Sequence, residues 1–324
     1  LSLLAVSELR KSFDHGRTVA VDGLSFQLEP GEVFGLLGPN GAGKTTSMSI
    51  VAGLLHPDSG ELQFDGSAVK TTDRRFRDAL GFVPQDLAIY PDLTARENLT
   101  FFGRLYGLRG DRLDSRLDVA LSMAGLESHA DRAARDFSGG MKRRLNFATG
   151  LLHEPRLLML DEPTVGVDPQ SRAHLLDCVR KLRDENVAVL YASHYMDEVE
   201  AICDRVAIVD HGRLVACGAL DELLGQLHLD LRVLISAGSD DVAANVEGLE
   251  SVTGVDVRRS NGDGERTLLI HTTRLSRAND DLTGLLDAVL GRLTDSKCCV
   301  LSVATQESSL ERLFLQLTGR RLRD

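Results

Sequence analysis

Apolar residues between Leu3 and Leu37 fall in short runs punctuated by Asp22-Gly23 and Pro30-Gly31, and the last run, Val33 to Leu37, is unbroken. This pattern predicts short strands with turns at those two pairs, the last strand buried. A Gly-rich stretch follows, then a helical run from Lys44 to Leu54, and Leu80 to Val83 reads as another strand. Thr94, with Glu97 three residues on, forms a capping box ahead of a stripe at Leu99, Phe102 and Leu105 or Tyr106, so Thr94 to Tyr106 should be helical. Arg112 to Ala124 repeats the helical period and stops at Gly125, a residue type suited to ending a helix. Beyond Pro155 the pattern alternates: strand Leu157 to Leu160, a helix opening at Asp168-Pro169, strand Val187 to Ala192, helix Met196 to Ile202, strand Val206 to Val209. Alternation of this kind predicts a parallel sheet covered on both faces, here with a mostly helical insertion at about 86–156. The first domain should span residues 1–227 and close near Leu227.

The second half of the pattern differs, over residues 228–324. It reads strand Leu229 to Ile235, helix Asp240 to Leu249, strand Val252 to Arg258, strand Arg266 to His271, helix Asp280 to Leu293, strand Cys299 to Ala304. Asn261-Gly262-Asp263-Gly264 between the two middle strands is a hairpin signal. A βαββαβ order predicts a small ferredoxin-like α+β domain. A last amphipathic helix, Leu310 to Leu317, ends at Gly319 before Arg320, Arg321 and Arg323.

Composition adds limits. The 324 residues are 43% hydrophobic and 26% charged, ordinary values that exclude disordered and collagen-like chains and fit two domains. A formal net charge of −11 argues against a general affinity for nucleic acid, so any bound phosphate needs a local site. No run of about 18 apolar residues is present. Leu1 to Val6 is too short for the core of a signal peptide and lacks a preceding basic segment. The five cysteines, Cys178, Cys203, Cys217, Cys298 and Cys299, show no metal-ligand spacing and read as free thiols, the last two as buried strand residues.

Candidate chemistry begins at Gly38-Pro39-Asn40-Gly41-Ala42-Gly43-Lys44-Thr45, which fits G-x-x-x-x-G-K-[ST] between a strand and a helix. Glycines let backbone N–H groups turn inward onto phosphate oxygens, and the helix N-terminus adds a favourable dipole. Lys44 is expected to meet the β- and γ-phosphates, and Thr45 to offer its hydroxyl to Mg²⁺, with Thr46 completing the segment that holds the nucleotide. The apolar run Leu157 to Leu160 delivers Asp161 and Glu162 at its C-terminal end, the edge where α/β sheets bind ligands. Side chains of successive strand residues diverge, so the two acids take different roles. Asp161 should face the metal, directly or through water, and Glu162 should polarise the water that attacks the γ-phosphate.

Phe137-Ser138-Gly139-Gly140-Met141, just upstream of that strand, resembles the signature motif of ATP-binding cassette (ABC) ATPases. Ser138 should cap the helix that follows, with Gly139 and Gly140 leaving its first N–H groups open as a second phosphate-binding terminus. The resemblance implies an α/β P-loop NTPase cassette with an antiparallel β subdomain and a helical insertion. It implies a head-to-tail dimer, each ATP lying between the phosphate loop of one subunit and the signature of the other. It further implies that Phe13 stacks on adenine, that Gln85 senses Mg²⁺ and the attacking water, that the loop Pro163 to Asp168 crosses the dimer interface, and that His194 contacts the γ-phosphate. Phe137, Met141 and Val167 depart from the residues usual in the family at those positions.

Cassettes of this family most often power transport, so a separate multi-span membrane permease is expected, which would hold the chain at the inner face of the membrane on the cytoplasmic side. Leu87, Ile89, Tyr90, Phe101 and Arg104 in the insertion are candidates for that contact. The sequence around Gln85 and the ending Ser308 to Gly319 resemble bacterial multidrug and antibiotic-resistance exporter ATPases, and the C-terminal domain should stabilise the dimer or regulate hydrolysis. The alternative is a non-transport ABC ATPase acting in translation or DNA maintenance. One cassette, no coiled-coil insertion between Gly38 and Ser138, and an acidic chain speak against it, and no nucleic acid partner is expected.

Overall fold

In a computed structural model the described residues are 2–225, 227, 230–236, 241–249, 252–259, 265–272, 282–306 and 309–319. The chain divides into two compact units, Leu1–Leu220 with Phe314–Asp324, and Asp221–Leu313.

The larger unit opens with β1 (Leu4–Phe13) and β2 (Thr18–Leu28), joined by a tight turn at Asp14–Gly16. The turn expected at Asp22-Gly23 does not form: β2 runs through it, pairing with β1 on both sides. Gly23, at φ +76°, absorbs an irregularity in the register, as glycine does in β-bulges. Ion pairs from Arg10 and Arg213 to Asp22 pin the strand there. Next come β3 (Val33–Leu37), α1 (Lys44–Val51), β4 (Ser59–Phe64), β5 (Ser67–Ala68), α2 (Arg74–Asp78) and β6 (Leu80–Val83). The insertion holds α3 (Ala95–Leu105), α4 (Gly110–Ala124) and α5 (Gly139–Thr149). After it run β7 (Leu157–Asp161), α6 (Pro169–Asp184), β8 (Ala188–Ser193), α7 (Met196–Ile202), β9 (Arg205–Asp210) and β10 (Arg213–Ala219); α8 (Leu220–Leu224) starts at the last residue of this stretch and continues into the smaller unit.

These strands form two sheets. An antiparallel sheet has the order β2-β1-β4-β5, and a six-stranded sheet the order β10-β9-β3-β8-β7-β6. In the second, β3, β6, β7, β8 and β9 are parallel. Only β10, a strand the sequence pattern did not reveal, runs antiparallel. Every residue of β3, β7 and β8 is buried, which is why those segments read as continuous apolar runs. The core between the two sheets includes Phe26 stacked on Phe34 with centroids 5.5 Å apart. The insertion has its own core of Leu99, Leu113, Leu117, Leu121, Leu145 and Leu152 with their neighbours. Its boundaries follow the predicted caps: Thr94 and Glu97 form the capping box, and Gly125 ends α4 in the left-handed region.

The smaller unit contains β11 (Asp230–Ser236), α9 (Val242–Glu247), β12 (Val252–Arg259), β13 (Glu265–Thr272), α10 (Leu282–Asp295) and β14 (Cys299–Gln306); α11 (Leu310–Thr318) follows. The sheet order β12-β13-β11-β14, with all neighbours antiparallel, is the ferredoxin-like arrangement expected from the element order. Leu231, Val233, Ile235, Leu268 and Ile270 face Val246, Val289 and Leu293 in its core. Cys298 and Cys299 correct one expectation: Cys298 precedes β14 and is half-buried against the core, and Cys299, the first residue of β14, is exposed. The predicted hairpin turn Asn261–Gly264 and the basic tail at Arg320, Arg321 and Arg323 lie outside the described residues, as do Gln226 and His228 at the expected domain boundary.

Candidate nucleotide-binding site

The loop from Gly38 to Gly43 leaves β3 and turns directly into α1. Two of its glycines are required by close backbone approach: a Cβ on Gly38 would lie 2.2 Å from the Val209 carbonyl oxygen, and one on Gly43 would lie 2.3 Å from that of Ala20. Gly43 also has φ +101° and is the N-cap of α1, while Gly41, at φ +80°, faces open space. The loop is thus packed from behind by two neighbouring strands and open in front. Of the rest, Ala42 is buried, Pro39 and Thr46 are half-buried, and Asn40 and Thr45 are exposed.

Lys44 is 4% exposed, and its Nζ donates to the carbonyls of Gly38 at 2.7 Å and Pro39 at 3.2 Å. This ammonium therefore braces the loop from inside, poised over the space the loop encloses. Burial pulls its pKa below the usual lysine value, an effect partly offset by the charge of Glu162, whose Oε1 is 3.4 Å away.

The two acids at the end of β7 separate as alternation requires. Asp161 ends the strand and its Oδ1 accepts from the Thr45 hydroxyl at 3.2 Å. Burial pushes the Asp161 carboxyl above its usual value. Glu162 turns out of the strand at φ +48°, a left-handed conformation that costs an ordinary residue about 1–2 kcal/mol. Its N–H donates to Ala192 O at 2.9 Å. The turn aims the carboxylate at three other predicted site residues: Oε1 is 3.1 Å from His194 Nδ1 and 3.4 Å from Lys44 Nζ, and Oε2 accepts from Gln85 Nε2 at 3.2 Å. Lys44, Thr45, Gln85, Asp161, Glu162 and His194 therefore form one connected group. Backbone strain at a buried carboxylate in such a group is a feature of reactive sites.

Ser138, Gly139, Gly140 and Asp168 form a second group. Ser138 N-caps α5, accepting from the Met141 N–H at 3.2 Å, and Asp168 N-caps α6, accepting from the Ser171 N–H at 2.9 Å with Pro169 in the first turn. A Cβ on Gly140 would meet Ser171 Oγ at 2.2 Å and Asp168 Oδ2 at 2.5 Å, so Gly140 exists to let the two helix starts pack. Gly139 is different, since its nearest neighbour would be Gly166 O at 3.8 Å. The N-terminus of α5 is consequently exposed and unblocked. Among the described residues, no hydrogen bond joins Ser138 or Gly139 to the Lys44 group. Phe13, at the end of β1, is 40% exposed, with Lys11 Nζ 5.7 Å from its ring centre; its open aromatic face suits stacking on a heterocycle.

Arg143 was not found from the sequence. It is buried in α5, and its guanidinium donates to the Gln85 carbonyl and, at 3.2 Å, to the Val165 carbonyl. It thus ties the loop carrying Gln85 to the segment between Glu162 and Asp168. Burial lowers its pKa below that of a free guanidinium, though it remains charged. In a run reading Lys142-Arg143-Arg144, nothing in the sequence marks Arg143 as the inward one.

The ABC transporter family model matches residues 21–165, which include the phosphate loop, Gln85, the α5 terminus and both acids. The chain is 40% identical to the linearmycin resistance ATP-binding protein LnrL of Bacillus subtilis, over 99% of this chain and 100% of that protein. It is 37% identical to the Nod factor export ATP-binding protein I of Ralstonia nicotianae, over 99% of this chain and 95% of the relative. Among solved structures it resembles cbiO1 of Clostridium perfringens, part of the ABC transporter complex cbiONQ, with a TM-score of 0.63 and 30% identity over 69% of this chain and 91% of that one. With this phosphate loop, these paired acids and relatives matched from end to end, the chain belongs to the ABC transporter family as one of its ATP-binding proteins.

Proposed function

We propose that the chain is the ATP-hydrolysing subunit of an exporter, working as a head-to-tail pair with a second copy and driving a separate multi-span permease. One observation carries this reading: the chain holds two open helix N-termini suited to phosphate, α1 and α5, but only α1 has the lysine and carboxylates beside it. A γ-phosphate held at α1 of one copy is then covered by α5 of the other, with Ser138 and Gly139 facing it.

In this mechanism the N–H groups from Gly38 to Thr46, except at Pro39, which has none, and at Ala42, which bonds the Pro39 carbonyl, hold the phosphates together with the Lys44 ammonium, and Phe13 stacks on adenine. The oxygen set of Thr45, Asp161 and Gln85 fits Mg²⁺, a hard cation that keeps waters and shares substrate phosphates. The Asp161 carboxyl, driven up by burial, is a group that gains from a cation nearby. When bound, Mg²⁺ neutralises charge building on the phosphate oxygens. Glu162 accepts a hydrogen bond from the attacking water and polarises it, while His194 and Gln85 hold the carboxylate in place. Asp168, at the start of α6, lies in the segment that faces the second copy.

Among the described residues no helix is long and apolar enough to cross a membrane. Membership of the ABC transporter family supports a separate membrane partner and, with it, a place at the cytoplasmic face of the membrane. The insertion offers that partner an apolar surface: Leu87, Tyr90 and Phe101 are exposed, with Tyr90 and Phe101 ring centres 4.8 Å apart, and Arg104 is exposed beside them. Ile89 is half-buried against the insertion's own core, which removes most of its surface from such a contact. A cleft of about 670 Å³ lined by Leu54, Arg77, Leu105 and Tyr106 lies at the C-terminal end of α3. The relatives' names, resistance and export, support outward transport of antibiotics, drugs or other hydrophobic compounds. Residues 228–324 are proposed to form an accessory domain that stabilises the pair or regulates hydrolysis.

The test is Glu162→Gln, which removes the water-polarising carboxylate and leaves the phosphate cradle. Turnover should fall by about 10²–10⁴ while ATP-dependent dimers accumulate, as seen by light scattering. Wild-type turnover in the variant, or a monomer at saturating ATP, contradicts the proposal.

A further inference from the structure

Glu198 lies on α7, is 1% exposed, and collects hydrogen bonds from three hydroxyls. Its Oε2 accepts from Thr164 Oγ1 at 2.7 Å, from Tyr191 OH at 2.7 Å and from Ser193 Oγ at 3.4 Å. Its Oε1 is 3.2 Å from Arg172 Nε. A carboxylate so deep survives because Oε2 collects hydrogen bonds and Oε1 is ion-paired with Arg172. Burial, and then the Glu198 charge, push the Tyr191 hydroxyl far above its usual value, so Tyr191 remains a donor.

What makes this cluster more than a buried ion pair is where its donors sit. Thr164 is two residues beyond Glu162, and Ser193 is the residue before His194. The Ser193 hydroxyl also accepts from the Tyr195 N–H at 2.9 Å, and Arg172 stacks over the Tyr195 ring at 5.0 Å, so both sides of His194 are fixed. The loop after Glu162 is otherwise held by few bonds: Val165 N–H to Glu162 O at 3.3 Å, Val167 N–H to Thr164 O at 3.3 Å, and the Arg143 bond to Val165 O. Resting on the reading of Glu162 as the water-polarising group, we propose that Glu198 is a positioning residue, one that fixes the loop after Glu162 against the end of β8 and so keeps Glu162 and His194 in register for hydrolysis. It acts through the Thr164 and Ser193 hydroxyls.

The experiment compares ATPase kinetics, ATP affinity and thermal stability for wild type, Glu198→Gln, Thr164→Val and Thr164→Ser. Thr164→Val keeps the shape and deletes only the donor, so it serves even where Glu198→Gln fails to fold. The expected result is a kcat at least tenfold lower for Thr164→Val and Glu198→Gln, with ATP affinity and KM within about twofold of wild type, and recovery to within twofold in Thr164→Ser. A merely structural role predicts a lower melting temperature without this split in the folded fraction. The inference is overturned by folded Thr164→Val with wild-type kcat, by a kcat loss matched by lost ATP affinity, or by Thr164→Ser being as impaired as Thr164→Val. Absence of ATPase activity in the wild type strikes instead at the proposed function, and this inference goes with it.

Discussion

The two helix starts α1 and α5 look alike on paper and differ in surroundings. Both begin in glycine-rich sequence and present free N–H groups, so both suit an anion. Around α1 the protein has gathered a buried ammonium and two buried carboxylates, and its Gly43 cap is held against the Ala20 backbone. At the α5 start sit the Ser138 cap and, from the neighbouring helix, the Asp168 cap and the Ser171 hydroxyl. The α1 start is built for chemistry and carries the desolvation that chemistry requires. The α5 start is exposed at Ser138 and Gly139, and it is proposed to meet an anion brought by a second copy.

Substitutions can break this contrast at each end. Lys44→Ala removes the buried cation and should have the largest effect, weakening ATP binding by roughly 10–150-fold and abolishing hydrolysis, measured by nucleotide titration. Retained tight binding would count against the phosphate-loop reading. Gly139→Asp fits sterically and even suits a helix N-terminus, but it places a negative charge where a partner's phosphate is proposed to sit. Hydrolysis should fall about 10²–10³-fold while the isolated chain binds ATP normally, and unchanged hydrolysis would refute the role of the α5 start. Gly140→Ala should act by a different route. Its Cβ collides with Ser171 and Asp168, so stability should fall by about 1–3 kcal/mol in a denaturant titration, with Gly139→Ala as the tolerated control.

The smallest effect concerns the cost of readiness at α1. The folded pKa of Asp161 is raised by burial, so its ionised form destabilises the nucleotide-free chain at pH 7, and that penalty is lost as pH falls through the raised value. Asp161→Asn should therefore raise the melting temperature of the nucleotide-free protein at pH 7 by a few degrees, with the gain vanishing toward ~pH 4. The same variant should lose the stabilisation that MgATP gives wild type. Equal melting at both pH values would show that the buried charge is not a burden.

Much of this was legible in the residues, because the phosphate loop, the apolar strand ending in Asp161-Glu162 and the Ser138-Gly139-Gly140 cap are each local in sequence. Caps and buried strands were equally readable: Thr94, Gly125 and Asp168 all stand where the helix signals put them. The misses have physical causes. Asp22-Gly23 carries turn residues but is held straight by two arginines from elsewhere in the chain. Antiparallel β10 had no alternating pattern, since its residues are mostly half-buried. Arg143 is a charged residue among other charged residues, and only tertiary packing turns it inward. A wheel of α7 would have flagged Glu198, which shares its buried face with Val199 and Ile202.

The central claim is that one ATP is shared by two chains, α1 of one and α5 of the other. It is tested most directly in chains that also carry Glu162→Gln, one with Lys44→Ala and one with Gly139→Asp, studied alone and mixed with ATP. Alone, neither should dimerise. Mixed, they should form a dimer holding one ATP per two chains, because only the pairing of an intact α1 start with an intact α5 start completes a site. No ATP-dependent association on mixing, or dimerisation of either chain alone, would contradict the account.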